Sequence, residues 1–251
     1  MDAVTPPAVE ISGLVVRYGA KTAVDGASFT VPRGSIFGLI GPNGAGKTSC
    51  LSVITTLVEP AAGEVRVCGL DAAAQPREVK QRIGYAPEEL ALYSGLGARD
   101  FVELSATLHG VPAAEGTRRA DSLLARFGLA ERAEDAVGSL SKGMKRKTLI
   151  AAALVHEPEL LVLDEPMEGL DVIAQRTLKE VLRERTAAGA AVLYSSHILE
   201  VVAGLCTHLA IIDGGRIRAS GPIDAVRREL GVEDLADAFP GPSSAAAGTG
   251  P

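Results

Sequence analysis

The chain has 251 residues and 47% hydrophobic content, enough to fill one large core or two small ones. Its 25 Lys and Arg against 31 Asp and Glu give a net charge of -6, which argues against a protein whose main business is binding nucleic acid or another polyanion. Cys50, Cys68 and Cys206 are scattered and form no CxxC pair, so neither a zinc site nor a disulfide framework is suggested; no leader-like n-region opens the chain, and its longest apolar run, residues 149–155, is far below the ~20 residues of a membrane span.

In chain order, the first strand candidates are "VEISGLVVRYG" and "AVDGASFTVPRG", alternating or β-branched and closed by Gly and Pro. The short run "SIFGLI" (35–40) lacks polar alternation and reads as a buried strand, running directly into a glycine-rich loop and a helix; "EVRVCG" (64–69) reads as another strand. From about 98 to 137 the apolar residues recur at helical spacing, as Phe101, Leu104 and Leu108 do, and a helical subdomain is expected over about 90–145. A helix from near Lys142 then leads to "LLVLDEP", "AAVLYSS" and "LAIIDGG", apolar strands separated by helical segments. The expected fold is α/β: a mainly parallel sheet with flanking helices, and an antiparallel β portion at the N-terminus. Residues 1–8 are expected to be a flexible N-terminus, 9–230 the folded domain and 231–251 a low-complexity tail.

"GPNGAGKT" (41–48) matches G-x-x-x-x-G-K-[ST] between a buried strand and a helix, the context a phosphate-binding loop requires. Gly41, Gly44 and Gly46 let the backbone wrap a phosphate chain, with Pro42, Asn43 and Ala45 completing the loop and Ser49 following it. Lys47 is placed for the β and γ phosphates and the Thr48 hydroxyl for Mg²⁺. "LLVLDEP" ends an apolar strand in two acids: Asp164 is the expected Mg²⁺ partner, and Glu165 the group that positions or deprotonates an attacking water. Two acids at a strand end carry little alone and much beside a phosphate loop.

These stretches, with others in order, resemble the ATP-binding-cassette (ABC) ATPases over about residues 9–230. The resemblance implies that Tyr18 in "VVRYGAKTAVDG" stacks on adenine and that "LSKGMKRK" is the signature. It further implies that "LVLDEPMEGLD" runs on to the D-loop aspartate Asp171, and that His197, closing "YSSH", senses the γ-phosphate. In that family the signature and the start of its helix face the nucleotide of the opposite subunit, which assigns Ser141, Lys142, Gly143 and Met144 to a partner's ATP. Lys142 and Met144 replace the usual Gly and Gln, and Met167 and Glu168 the usual Thr-Ser.

The four cations within residues 142–147 admit three readings: a nucleic-acid patch, a solvated helix face, or the edge of a phosphate site supplied by another molecule. Lys145, Arg146 and Lys147 occupy successive helical positions, point in different directions and read as mostly solvated or paired cations. "IGYAPEELALY" carries Glu88 where the family has its Q-loop glutamine; a glutamate there could ligate Mg²⁺ or stand back from it. The pattern of this stretch and of the signature resembles the cassettes that energise ABC-2 type exporters.

The reading is therefore an ATP hydrolase subunit using ATP and Mg²⁺, closing head-to-tail as a homodimer or as a heterodimer with a relative. It would be cytoplasmic and peripheral on the membrane, and would drive a separate permease through the surface at 88–93 and the helices after it. The alternatives are a soluble ABC ATPase of the iron-sulfur cluster assembly type and a nucleotide-dependent scaffold with little turnover.

Overall fold

The computed structural model describes residues 6–90 and 92–238. Strands β1 (Val9–Tyr18), β2 (Lys21–Val31), β4 (Ala62–Val67) and the two-residue β5 (Leu70–Asp71) form an antiparallel sheet in the order β2-β1-β4-β5. A second sheet has the order β10-β9-β3-β8-β7-β6, from β3 (Ile36–Ile40), β6 (Ile83–Ala86), β7 (Leu160–Asp164), β8 (Ala191–Ser196), β9 (His208–Asp213) and β10 (Arg216–Pro222). Its strands are parallel except for β10, which turns back on β9. The expected α/β class with an N-terminal antiparallel portion is the class observed.

The apolar runs read from the sequence have a direct cause. Alternate residues of each central strand enter two separate cores on opposite faces of the parallel sheet. In β3, Phe37 and Leu39 pack with β1, β2 and α1 (Lys47–Ile54), whereas Ile36 and Ile40 pack toward the helices on the other side. The same split divides Leu160 and Val162 from Leu161 and Leu163 in β7. A strand buried on both faces has no position at which a polar residue is tolerated, so it reads as a run and not as an alternation.

On the second face lie α3 (Ala98–Leu108), α4 (Ala113–Arg126), α5 (Lys142–Leu154), α6 (Val172–Ala187), α7 (Leu199–Leu205) and α8 (Ile223–Leu230), with α2 (Pro76–Arg82) leading into β6. Five elements were not anticipated: α2, β5, β6, β10 and α8. The four residues of β6 are too few to show a period, and β10 "RIRASGP" is an edge strand whose outer side tolerates charge, Gly and Pro.

Two boundaries also differ from expectation. Ala8, assigned to a flexible segment 1–8, is buried and donates to the Val31 carbonyl, so packing begins before β1; residues 1–5 of that segment lie outside the described residues. Within the expected tail 231–251, residues Leu235–Ala238 form a 3-10 turn and Leu235 is fully buried; the tail from 239 onward lies outside the described residues.

Candidate active site

β3 delivers the chain into the loop 41–46, and α1 starts at Lys47. The loop must pass close to its neighbours, and glycine permits it. A Cβ on Gly41 would lie 2.1 Å from the Ile212 carbonyl oxygen, and Gly46 has φ +109° with its Cβ position 2.6 Å from the Ala23 carbonyl oxygen. The Lys47 ammonium folds back over this loop, donating to the carbonyls of Gly41 at 2.7 Å and Pro42 at 3.3 Å.

β7 runs beside β8 and brings the acids to the same place. Thr48 Oγ1 donates to Asp164 Oδ2 at 3.0 Å, while Ser195 Oγ donates to the other oxygen, Oδ1. Glu165 follows with φ +45°, a strained backbone for a residue with a side chain, at a point where the chain leaves the sheet. Its carboxylate is only 8% exposed and has two neighbours: Lys47 Nζ at 3.8 Å and His197 Nδ1 at 2.9 Å. His197 stands just past the end of β8, so the ends of β7 and β8 and the start of α1 converge on one carboxylate.

These groups line a cavity of about 480 Å³ together with Tyr18, Lys21, Asn43, Gly44, Ser49, Glu88 and Glu168. Tyr18 is half exposed at its rim, as a ring free to stack on a flat ligand would be. Gly41, Pro42 and Ala45 shape the loop from behind. Lys21 and Ser195 were not singled out from sequence, and Glu168 was noted only as a departure from the family pattern; Ser195 sits inside "LYSS", and its register opposite Asp164 on paired strands is information only the sheet supplies.

Ser141, Lys142, Gly143, Met144 and Asp171 do not line this cavity. Ser141 caps α5, its Oγ accepting the Met144 amide at 3.2 Å, and Asp171 caps α6 in the same manner through Ala174. Lys142 pairs with Glu168, whose carboxyl it holds below the usual range, and Lys147 pairs with Asp171 at 2.8 Å with the same effect. Two of the departures from the family pattern, Lys142 and Glu168, are thus partners of each other.

Arg146 corrects the reading of the basic run. It is 1% exposed, and it donates from Nη1 to the Pro87 carbonyl and from Nη2 to the Glu88 carbonyl, both at 2.5 Å. Charged hydrogen bonds of roughly 1.5–3 kcal/mol each offset part of the desolvation of the ion. A signal existed in the sequence: Arg146, Leu149, Ile150 and Ala153 fall at i, i+3, i+4 and i+7, all on the buried stripe of α5.

A set of one hydroxyl and one carboxylate, with space in front of them, suits a small hard cation that takes its remaining ligands from phosphate and water. No cluster of three or more His, Cys, Asp or Glu side chains able to hold a metal occurs among the described residues.

The family model described as "ABC transporter" matches residues 24–168. Among curated proteins, the chain is 41% identical to the linearmycin resistance ATP-binding protein LnrL of Bacillus subtilis, over 87% of this chain and 70% of that protein. It is 37% identical to the Nod factor export ATP-binding protein I of Ralstonia nicotianae, over 90% of this chain and 71% of that one. A solved structure of an ATP-binding subunit of an ABC transporter superposes with a TM-score of 0.87 at 35% identity, covering 91% of this chain and 96% of that one. The chain therefore belongs to the ABC transporter family, as one of its ATP-binding, ATP-hydrolysing proteins.

Proposed function

We propose that this chain is the motor subunit of an ABC-2 type exporter, closing head-to-tail with a second cassette over two Mg-ATP and driving a separate permease from the cytoplasmic face of the membrane. The observation that carries the hydrolytic part is the placement of the Glu165 carboxylate between Lys47 and His197, beside the Thr48 and Asp164 pair.

Each residue then has a task. The loop amides and Lys47 take the phosphates, Lys47 exchanging its carbonyl acceptors for phosphate oxygens. Thr48 and Asp164 would hold Mg²⁺, which neutralises charge on the phosphates when bound. Glu165 accepts a proton from water as its oxygen bonds to the γ-phosphorus, and the bond to the bridging oxygen breaks with its electron pair leaving on ADP. His197 orients that carboxylate through Nδ1. Ser141 and the amides that open α5 are left for the partner's nucleotide, an arrangement supported by their absence from this chain's own cavity.

Export is supported by the names of the relatives, one a resistance protein and another an export protein. Among the described residues no helix is long and apolar enough to cross a membrane, which is consistent with a permease on another chain. An apolar groove of about 430 Å³, with Leu57, Tyr93, Leu104 and Leu108 exposed around it, fits a short amphipathic segment of that permease. Tyr85 and Tyr93 of its lining flank Glu88 of the nucleotide cavity in sequence.

Glu165→Gln tests the reading. Turnover should fall at least about 10²-fold, the scale of a general base, with ATP affinity kept within a few-fold. Light scattering of that variant with Mg-ATP should give twice the 25.9 kDa chain mass if it pairs with itself. Undiminished turnover would remove Glu165 from the reaction.

A further inference from the structure

Arg146 has the largest side-chain volume among the fully buried described residues, yet it does not line the nucleotide cavity. Among the described residues no carboxylate lies in ion-pair contact with it; its two bonded acceptors are the successive backbone carbonyls of Pro87 and Glu88. A guanidinium can bridge two such carbonyls because its donors are fixed in one plane, and a buried site offers no water to replace them. The segment so held is the one that carries the Glu88 side chain into the cavity wall. The helix that holds it is capped at Ser141, one turn and a half before Arg146.

The other ties of this helix end are looser. Lys142 with Glu168 and Lys147 with Asp171 are ion pairs with at least one well-exposed partner, a class that contributes little. The strong connection from the start of α5 thus runs to residues 87–88, and the weak ones run to 168–171.

We propose that Arg146 is a positioning residue for hydrolysis: it fixes the backbone at Pro87 and Glu88 to the second turn of α5, so that the Glu88 carboxylate takes its place in the cavity wall from the helix that opens at Ser141. This rests on the reading of the cavity as the hydrolytic site. It makes the state of the α5 N-terminus an input to turnover at the same protomer's nucleotide.

The test is a double-mutant cycle in steady-state ATP hydrolysis by the full chain, with Arg146→Met and Glu88→Ala. Arg146→Met should lower kcat about tenfold or more, the cost of misplacing a group by a fraction of an ångström to an ångström, with the KM for ATP within about threefold. In the Glu88→Ala background the same substitution should change kcat less than about twofold. An equal loss in both backgrounds, or none in either, overturns the clamp. If Arg146→Met does not fold, Arg146→Lys keeps the charge and loses the fork, and amide deuterium exchange decides. Residues 88–90 should exchange faster while 149–154 stay protected, and unchanged exchange at 88–90 overturns the proposal. Turnover that does not depend on Glu165 would overturn the underlying reading and the clamp together, whereas Glu165-dependent turnover with an additive cycle overturns the clamp alone.

Discussion

Gly143 shows how much one hydrogen atom in place of a methyl can decide. A Cβ there would sit 2.6 Å from the Gly169 carbonyl oxygen, a backbone atom that cannot rotate away. Gly143→Ala must therefore push the start of α5 off the 165–171 segment, stretching the Lys142 to Glu168 pair as it does so. Overpacking of this kind costs about 1–3 kcal/mol, which urea unfolding at fixed slope would register as a lower midpoint. An unchanged midpoint would mean that the two backbones separate freely and that the close approach is not enforced. Residues of this sort were legible in the sequence because a backbone that approaches another backbone demands glycine at a fixed spacing, and the phosphate loop and signature keep that spacing. Arg146 was not legible as a buried group, since its charge argues for solvent more loudly than its place on the apolar stripe argues for the core. Only the fold brings the carbonyls of Pro87 and Glu88 to meet it, 59 and 58 residues away.

At the level of elements, the central strands could be read from sequence because burial on both faces leaves an uninterrupted apolar run, and α3 to α5 because their apolar positions recur over two turns or more. The short β6 escaped, although it forms the outer edge of the parallel sheet and one wall under the apolar groove. That edge holds a pair of histidines with a measurable consequence. His156, after α5, stacks on His109, after α3, with ring centroids 3.6 Å apart, and donates from Nε2 to the Ile83 carbonyl of β6. Burial lowers the His156 pKa to about 4, helped by His109, Arg185 and Arg119 and opposed by the bond to Ile83. Below its ordinary value of 6.5 the unfolded chain therefore takes up a proton that the folded chain refuses. The contribution of this site is fully present above pH 6.5 and declines as pH falls toward 4, by up to about 3 kcal/mol over that window. His156→Phe keeps the stack and cannot be protonated. The stability of the natural chain minus that of this variant, from urea unfolding between pH 7.5 and 4.5, should shrink as the pH is lowered. A difference independent of pH would show that His156 binds its proton equally in both states.

Across the whole molecule, the nucleotide cavity and the apolar groove draw on neighbouring residues, Glu88 lining the cavity and Tyr93 the groove. Tyr85 belongs to the same junction: it lines the groove, and burial together with the charges of Asp164 and Glu88 raises its hydroxyl to about 12. A motor subunit needs this kind of adjacency, because a change at the phosphates does work only if it reaches a surface that another protein holds. The groove is the surface suited to that, since Leu108 is 67% exposed and Tyr93 69% exposed, an apolar rim that water alone does not favour. Leu108→Glu separates docking from folding. An exposed helix-end leucine contributes little to stability, so the unfolding midpoint should shift by no more than about 0.5 kcal/mol in equivalent free energy. A carboxylate in the groove, however, must be desolvated when an apolar segment enters. Tagged purification from detergent-solubilised membranes should recover a polytopic membrane chain with the natural protein in stoichiometric amount and lose it with Leu108→Glu. Equal recovery with both would move the docking surface elsewhere on the molecule, and recovery of soluble partners alone with the natural protein would detach this ATPase from a permease altogether.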